Sequence, residues 1–452
     1  MNLQEEDTIY ALATPPGKSA IAVIRISGPE ASTVPELFSS SCPKVGEFKF
    51  TKLKVSGNVI DECILLFMEG PFSSTGEDVC EIQCHGSPVV VEIILERLLK
   101  IKGFRPADPG EFTRRGFMNG KMDLTSVEGL ADLIEAQTVT QLVQARSQLD
   151  GSLTIPIMNW RKRLINLEAK LEASIDFSDE DLPGDIMKDL RFSTKSLIKE
   201  FKKVLNDERI GEIVREGLNV TLLGPVNVGK STILNAISGR PTSIVSDEAG
   251  TTRDVVKVKI DLDGIPVTIS DTAGLRENVG TIENEGIRRA IEAASEAKLV
   301  VIVLDGNSDD WVEQLPKIDD LSKNDKLLVI NKVDLIKKEK KTRLGESFPE
   351  ESILISAKNT RDIDRLISTL KRKLIPHNVS DSATIITRSR HRKSILIASD
   401  ALSRMLDHNL NTQPELAAEE FRLARGALGR ITGEIDVEEV LGDIFSAFCI
   451  GK

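Results

Sequence analysis

The sequence predicts a multidomain α+β and α/β protein: an N-terminal α+β domain, a helical domain, and an α/β domain inserted into the helical one. Three observations carry this. The 452 residues suffice for about three domains of ordinary size. Residues 216–376 alternate short apolar runs with helical segments, the pattern of a mostly parallel sheet covered on both faces. Long stretches of helical periodicity flank that region on either side. Apolar content is ordinary at 40%, so each domain can bury a core, and one Tyr and two Trp suit packing by Leu, Ile, Val and Ala.

Residues 1–119 read as α+β, with strands at 21–26 and 78–83 and a helix at 89–100. Turn signals sit at Pro15-Pro16-Gly17, Ser27-Gly28-Pro29 and Asp108-Pro109-Gly110. Near residue 121 the pattern becomes helical. Thr125-Ser-Val-Glu128 reads as a capping box, followed at helical spacing by Val127, Leu130 and Ile134. Leu164, Leu167, Leu171 and Ile175 keep that spacing, as do Leu190, Leu197, Phe201 and Val204. Strands at 219–223, 255–260, 265–270, 299–304, 326–330 and 352–355, with a helix from 232, build the α/β domain. After Pro376-His377 helices return at 394–406, 414–431 and 437–448. These late helices either bundle alone or complete the core begun earlier. The second option is expected, and makes 120–215 plus 377–452 one discontinuous domain around residues 216–376.

A net charge of −11 argues against a protein coated all over by nucleic acid, while leaving room for local basic patches such as Arg288-Arg289 and Lys337–Lys341. Those clusters are either solvated helix faces or contacts for nucleic acid or a partner. The acidic N-terminus lacks a targeting pattern, and no stretch nears the ~18 apolar residues of a membrane span. The cysteines (Cys42, Cys63, Cys80, Cys84 and Cys449) suit a reducing compartment, so a soluble cytoplasmic protein is expected. Cys80-x-x-x-Cys84-His85 lacks a second ligand pair, and both thiols fall on an apolar strand face, which favours core over zinc.

Gly224–Ser231 fits G-x-x-x-x-G-K-[ST] between a strand and a helix, where a phosphate-cradling loop belongs. Backbone N–H groups along Asn227, Val228, Gly229, Lys230, Ser231 and Thr232 would hold phosphates. Lys230 would neutralise β/γ charge, and Ser231 would ligate Mg²⁺. Asp271-Thr272-Ala273-Gly274 follows a strand, so Asp271 can reach Mg²⁺ through water and the Gly274 N–H can sense a γ-phosphate. Gly250-Thr251-Thr252-Arg-Asp254 lies where a switch segment would; Thr252 is the candidate second Mg²⁺ ligand. Asn331-Lys332-Val333-Asp334 decides the base. The Asp334 carboxylate accepts from guanine N1–H and the 2-amino group together, and the Lys332 stem covers the base face. Leaving that carboxylate unpaired would exclude ATP by ~10⁴. Ser356-Ala357-Lys358 adds a backbone donor for guanine O6. Together the four motifs specify a Ras-like P-loop GTPase domain binding GTP. Leu275 stands where Ras-like enzymes carry a water-orienting glutamine, so water is positioned otherwise. Asn227 offers an oxygen near the β/γ bridge, where K⁺ could replace an arginine finger.

These motifs resemble the MnmE (TrmE) family of bacterial tRNA-modification GTPases, within the TrmE-Era-like GTPases. The resemblance extends to Ala13–Gly17, Ile24–Gly28, Thr75–Asp78, His85-Gly86, Pro109–Phe112 and the terminal Phe448–Lys452. The GTPase motifs alone would fit Era or Der equally. The resemblance implies that Ser246, Asp247, Glu248, Ala249, Gly250, Thr251 and Thr252 line the nucleotide. It makes Asn227, Ser246, Glu248 and Thr251 ligands of a K⁺ that drives G domains together. It also makes Glu283 the residue that orients water, although Thr281 and Glu283 equally suit the start of a helix. It implies an N-terminal tetrahydrofolate-binding and dimerisation domain, with 5-formyl- or methylene-tetrahydrofolate held by Arg25, Glu81, Lys121 and Lys452. Alternation does put Arg25 with Ile21 and Val23, and Glu81 with Gln83, which also suits a plain surface charge pair. Cys449 would lie beside that site, as a reactive thiol or a small buried residue. The implied assembly is a homodimer working with the FAD-containing MnmG (GidA) on C5 of the wobble uridine of certain tRNAs. An Era-like ribosome-assembly GTPase and a folate-dependent aminomethyltransferase with a regulatory GTPase are the alternatives.

Overall fold

The structure is a computed structural model describing residues 7–176, 186–244, 257–271, 294–308, 325–337, 340, 352–375, 385–410, 412–435, 438–446, 448 and 450–451. The chain divides into two compact units. One comprises residues 1–131, 147–194 and 397–452; the other comprises 132–146 and 195–396.

The first unit begins with a six-stranded sheet ordered β3-β4-β5-β2-β1-β6. Its strands are β1 (Thr8–Leu12), β2 (Ser19–Ser27), β3 (Phe48–Val55), β4 (Asn58–Met68), β5 (Val79–Gly86) and β6 (Phe104–Pro106). Neighbours are antiparallel except β1 and β6. Alternation sends Ala22, Ile24 and Ile26 of β2, with Cys80, Ile82 and Cys84 of β5, into a core shared with Ile94 and Leu98 of α2 (Pro88–Leu99). The strand read at 21–26 lies within β2, the one read at 78–83 overlaps β5 from residue 79, and the helix read at 89–100 matches α2 to within one residue at each end. Burial pushes the Cys63 thiol up to about 12 and the Cys84 thiol up to about 11, and raises Cys80 as well. Such thiols are inert packing groups. Among the described residues no cluster of metal-ligating side chains is found.

Behind this sheet a helix start is held by buried charge. Glu111 opens α3 (Glu111–Met118) and is 4% exposed. Arg105 Nη1 and Nη2 donate to its two oxygens at 2.8 and 2.5 Å, Asp108 N adds a bond of 2.8 Å, and Arg115 Nη2 one of 3.3 Å. Arg115 also donates to Glu77, at 2.9 Å. Burial alone would raise the Glu111 pKa, but the Arg105 bonds and the Asp108 amide outweigh it, and the carboxyl titrates below its ordinary value.

The helical part of this unit includes the first eight residues of α4 (Leu124–Glu135), α6 (Thr154–Asp176) and α12 (Pro414–Thr432). Leu164, Leu167 and Leu171 of α6 and Phe421, Ala424 and Leu428 of α12 are buried as the two helices pack, and Glu168 receives Arg422 and Arg425. One expectation is corrected here. Thr125 is not the cap of α4. Asp123 is, because its carbonyl accepts from Val127 N and its Oδ1 accepts from Ser126 N at 2.8 Å. The Thr125 hydroxyl donates to the same carboxylate at 2.8 Å. A carboxylate two residues upstream reaches the helix-start amides first and carries the favourable charge for them.

The second unit holds a seven-stranded sheet ordered β13-β12-β11-β7-β10-β9-β8. These are β7 (Leu218–Leu223), β8 (Ser243–Ile244), β9 (Lys257–Leu262), β10 (Ile265–Asp271), β11 (Leu299–Asp305), β12 (Asp325–Asn331) and β13 (Ile353–Leu354). The five from β13 to β10 in that order are mutually parallel. Covered on both faces, they are near-continuous apolar runs; in β11 only the terminal Asp305 is not buried. Helices α9 (Lys230–Ser238) and α10 (Thr360–Leu374) bury Ile233, Leu234 and Ile237, and Ile363, Leu366 and Leu370, against the sheet. Parallel strands bring all their C-terminal ends to one edge, so the loops that follow β7, β10, β11, β12 and β13 meet there.

Replacing Glu111 by Gln keeps its shape but removes the counter-charge of Arg105 and Arg115, and should cost about 2 kcal/mol at neutral pH. A carboxyl with a lowered folded pKa stabilises fully above its unfolded value, and that benefit is lost as pH falls through the folded one. Urea melts of the native chain and Glu111→Gln should therefore differ at pH 7 and draw together as pH falls below the ordinary glutamate range; a constant gap would contradict the ion-pair account.

Candidate nucleotide site

The phosphate loop leaves β7 at Gly224, which has φ +147 and where a Cβ would lie 2.1 Å from the Val303 carbonyl oxygen. Only glycine fits. Asn227 takes a left-handed φ of 62°, and Gly229, at φ 99°, caps the start of α9. A Cβ on Gly229 would lie 2.3 Å from Asn331 Nδ2. The next residue, Lys230, is 4% exposed and donates from Nζ to the carbonyls of Gly224 at 2.9 Å and Pro225 at 2.8 Å. Its ammonium thus lies over the loop, with the first amides of α9 behind it.

Ser231 Oγ donates to Asp271 Oδ2 at 2.7 Å. Asp271 ends β10, is 1% exposed, and is carried there by the parallel pairing of β10 with β7. A hydroxyl beside a buried carboxylate is a hard-oxygen set that fits Mg²⁺.

On the other side, Asn331 ends β12 and is 2% exposed. Its Nδ2 donates to the Val228 carbonyl at 2.8 Å, and its Oδ1 accepts from Ala357 N at 3.0 Å. One side chain thereby ties the phosphate loop, N-K-x-D and S-A-K together. Lys332 has φ 62° and donates to Asp305 Oδ2 at 2.7 Å and to the Asn227 carbonyl at 2.5 Å. Asp334 is exposed, and a hydrogen bond from the Ser356 side chain holds its carboxyl below the ordinary range. Ser356 N donates to Asp362 at 2.8 Å.

The expected residues Asn227, Val228, Gly229, Lys230, Ser231, Thr232, Asp271, Asn331, Lys332, Asp334, Ser356, Ala357 and Lys358 therefore all lie on strand ends, loops and helix starts of one sheet edge. Ser246, Asp247, Glu248, Ala249, Gly250, Thr251, Thr252, Thr272, Ala273, Gly274 and Glu283 lie outside the described residues, as do Leu275, Arg288-Arg289, Cys449 and Lys452. Two contributors had not been expected: Asp305, at the end of β11, and Asp362, in the first turn of α10.

In the other unit the β2–β5 register sets Arg25 opposite Glu81, and Arg25 Nε donates to Glu81 Oε1 at 2.8 Å. The Arg25 guanidinium lies 5.8 Å from the Phe112 ring centroid, and its Nη1 donates to the Gly451 carbonyl at 3.4 Å. Lys121 donates to the Pro71 carbonyl at 2.8 Å. Arg25, set by alternation beside apolar neighbours, thus has a counter-charge in Glu81. A cation, a carboxylate and an aromatic face together fit a ligand that carries carboxylates and a flat ring with paired donors.

Comparison with known proteins matches residues 8–121 to a family model described as the GTP-binding protein TrmE N-terminus, and residues 124–449 to one described as the MnmE helical domain. A protein of Paramagnetospirillum magneticum named tRNA modification GTPase MnmE is 43% identical over 452 residues, covering 99% of this chain and 100% of that protein. Its namesake in Parvibaculum lavamentivorans is 43% identical over 451 residues, covering 99% and 100%. The one in Pelagibacter ubique is 41% identical over 450 residues, covering 98% and 100%.

A methyl group on Gly229 must displace the Asn331 amide and accept a strained φ. Gly229→Ala should weaken binding of a fluorescent guanosine diphosphate by about 100-fold or more, as expected for ~3 kcal/mol of strain and broken bonds. Unchanged affinity would mean that the Asn331 tie does not shape the loop.

Proposed function

The chain belongs to the family of tRNA-modification GTPases that share the TrmE N-terminus and the MnmE helical domain, and on that premise we propose that it hydrolyses GTP in the course of modifying tRNA. The observation that carries this reading is the Asn331 side chain joining a phosphate loop to two base-recognition loops. Lys230 and the first amides of α9 hold the β- and γ-phosphates, and Asp334 selects guanine through two hydrogen bonds. Ser231 and Thr252 would ligate Mg²⁺, with Asp271 acting through water; the bound ion would neutralise charge on the β/γ oxygens. Glu283 orients the attacking water. Asn227, Ser246, Glu248 and Thr251 would hold K⁺, whose charge stands in for an arginine finger.

The finer reading follows the family resemblance. The protein works in the cytoplasm as a homodimer joined through residues 1–119. Its helical domain, 120–215 plus 377–452, surrounds a GTPase domain at 216–376. With the FAD-containing MnmG (GidA) it adds an aminomethyl or carboxymethylaminomethyl group to C5 of the uridine at position 34. Arg25 and Glu81, with Lys121 and Lys452, would hold the folate one-carbon donor. The GTP cycle opens and closes the G domains and leaves the uridine chemistry to the cofactors. The Arg25–Glu81 pair favours an intact folate site, since it joins two of the four expected groups.

Turnover in K⁺ should exceed that in Na⁺ by about tenfold or more for the native chain, and Asn227→Ala should be slow in both. Equal rates in all four measurements would remove the cation mechanism without touching the GTPase reading. Asp334→Asn exchanges one acceptor for a donor, so preference should move from guanosine to xanthosine nucleotides. Nucleoside analysis of tRNA from a deletion strain tests the pathway: intact C5-modified wobble uridine would overturn it.

A further inference from the structure

Asp305 meets the base-recognition loop from a neighbouring strand. It ends β11, and the parallel register sets it beside Asn331 at the end of β12. Its position is fixed twice. Asn307 N donates to its Oδ1 at 2.9 Å, and Gly306 N donates to the Asn331 carbonyl at 2.9 Å. That leaves Oδ2 directed at Lys332 Nζ, 2.7 Å away.

Lys332 is an unusual residue to find at φ 62°, a region that costs a non-glycine residue about 1 kcal/mol. Its backbone leads the side chain back across the site to the Asn227 carbonyl. Two adjacent carbonyls of the phosphate loop are therefore tied to the end of β12: Val228 by the Asn331 amide and Asn227 by the Lys332 ammonium. The first tie is rigid and buried. The second depends on a long, flexible side chain, 29% exposed, that would otherwise retain most of its rotamer freedom. The stem of that side chain is the part that would cover the base.

We propose that Asp305 is a positioning residue for guanine-nucleotide binding: it anchors the Lys332 ammonium on the Asn227 carbonyl and so holds the lysine stem over the purine. This rests on the reading that Lys332 and Asp334 hold the base. Asp305 itself touches neither base nor phosphate. Its removal acts on how long nucleotide stays bound and leaves the hydrolytic step alone.

The test is a double-mutant cycle on the full chain, reading release of methylanthraniloyl-GDP after a chase with unlabelled GDP. Asp305→Asn retains the acceptor for Asn307 N and removes the charge facing Lys332. Release should accelerate roughly five- to tenfold, the range of a half-exposed charge-assisted bond. Lys332→Met, which keeps the stem without its ammonium, should accelerate release as well, and the double variant should match Lys332→Met alone. For Asp305→Asn, KM for GTP should rise while kcat at saturation stays within about twofold, a split that loss of folded protein would not produce. A native release rate in Asp305→Asn, or an equal acceleration in the Lys332→Met background, overturns the proposal. Asp305→Ser repeats the cycle should the Asn variant fold poorly. A native chain that holds adenosine and guanosine diphosphates alike overturns the nucleotide reading itself, and shows that before any variant is measured.

Discussion

The nucleotide edge depends on one buried amide. The Asn331 side chain donates to the phosphate loop and accepts from the loop after β13, so three segments far apart in sequence share a single rotamer. At 2% exposure neither end of that amide can turn to water. Separating the loops would leave a donor, an acceptor and their partners unsatisfied, at a cost of about 1–3 kcal/mol for each group. Aspartate could not substitute, because it has no donor for the Val228 carbonyl. The requirement propagates to Gly229, whose missing side chain is what allows Nδ2 to approach. A motif usually explained by phosphate contact is thus also constrained from behind, by packing against the base-binding strand.

How much of this could be read in the sequence varied with how local the cause was. The parallel strands were legible because burial on both faces leaves uninterrupted apolar runs, as in Leu299–Asp305. Strand β3 was not, because only Leu53 of Phe48–Val55 is buried and Lys alternates with Phe along it. The cap of α4 was misplaced because Thr125–Glu128 and Asp123 both match capping patterns, and only the backbone decides which residue has the free carbonyl. Arg25 and Glu81 were named by the family resemblance; alternation placed each on a face of its strand, and the register that joins them is a long-range fact. Asp305 gave no signal. Its role arises from a β11–β12 pairing between residues separated by 26 positions, and nothing near it in sequence announces that.

The two units hold their key loops by different physics. In the first, Glu111 fixes a helix start with two arginines and a backbone amide, an arrangement whose strength depends on protonation. In the second, backbone geometry dominates: Gly224 admits the Val303 carbonyl, and neutral amide bonds tie the loops. The distinction matters for ligand chemistry. A site that must receive several phosphate charges gains from N–H dipoles and one lysine, because fixed carboxylates at the same place would repel the ligand.

A common feature then follows for both candidate sites. Among the described residues, groups that a ligand would claim already have partners within the protein: Lys230 on two carbonyls, Ser231 on Asp271, and Arg25 on Glu81. Binding is therefore an exchange of hydrogen bonds, and its net gain per bond is small, about 1 kcal/mol. A ligand that replaces every bond it breaks gains slightly at each point and substantially in sum. One that lacks a single matching group leaves a desolvated partner behind and forfeits more than that bond was worth. Selectivity here comes from preformed internal bonds as much as from contacts with the ligand, which is why a residue such as Asp305, which does not contact the ligand, can set how long it stays.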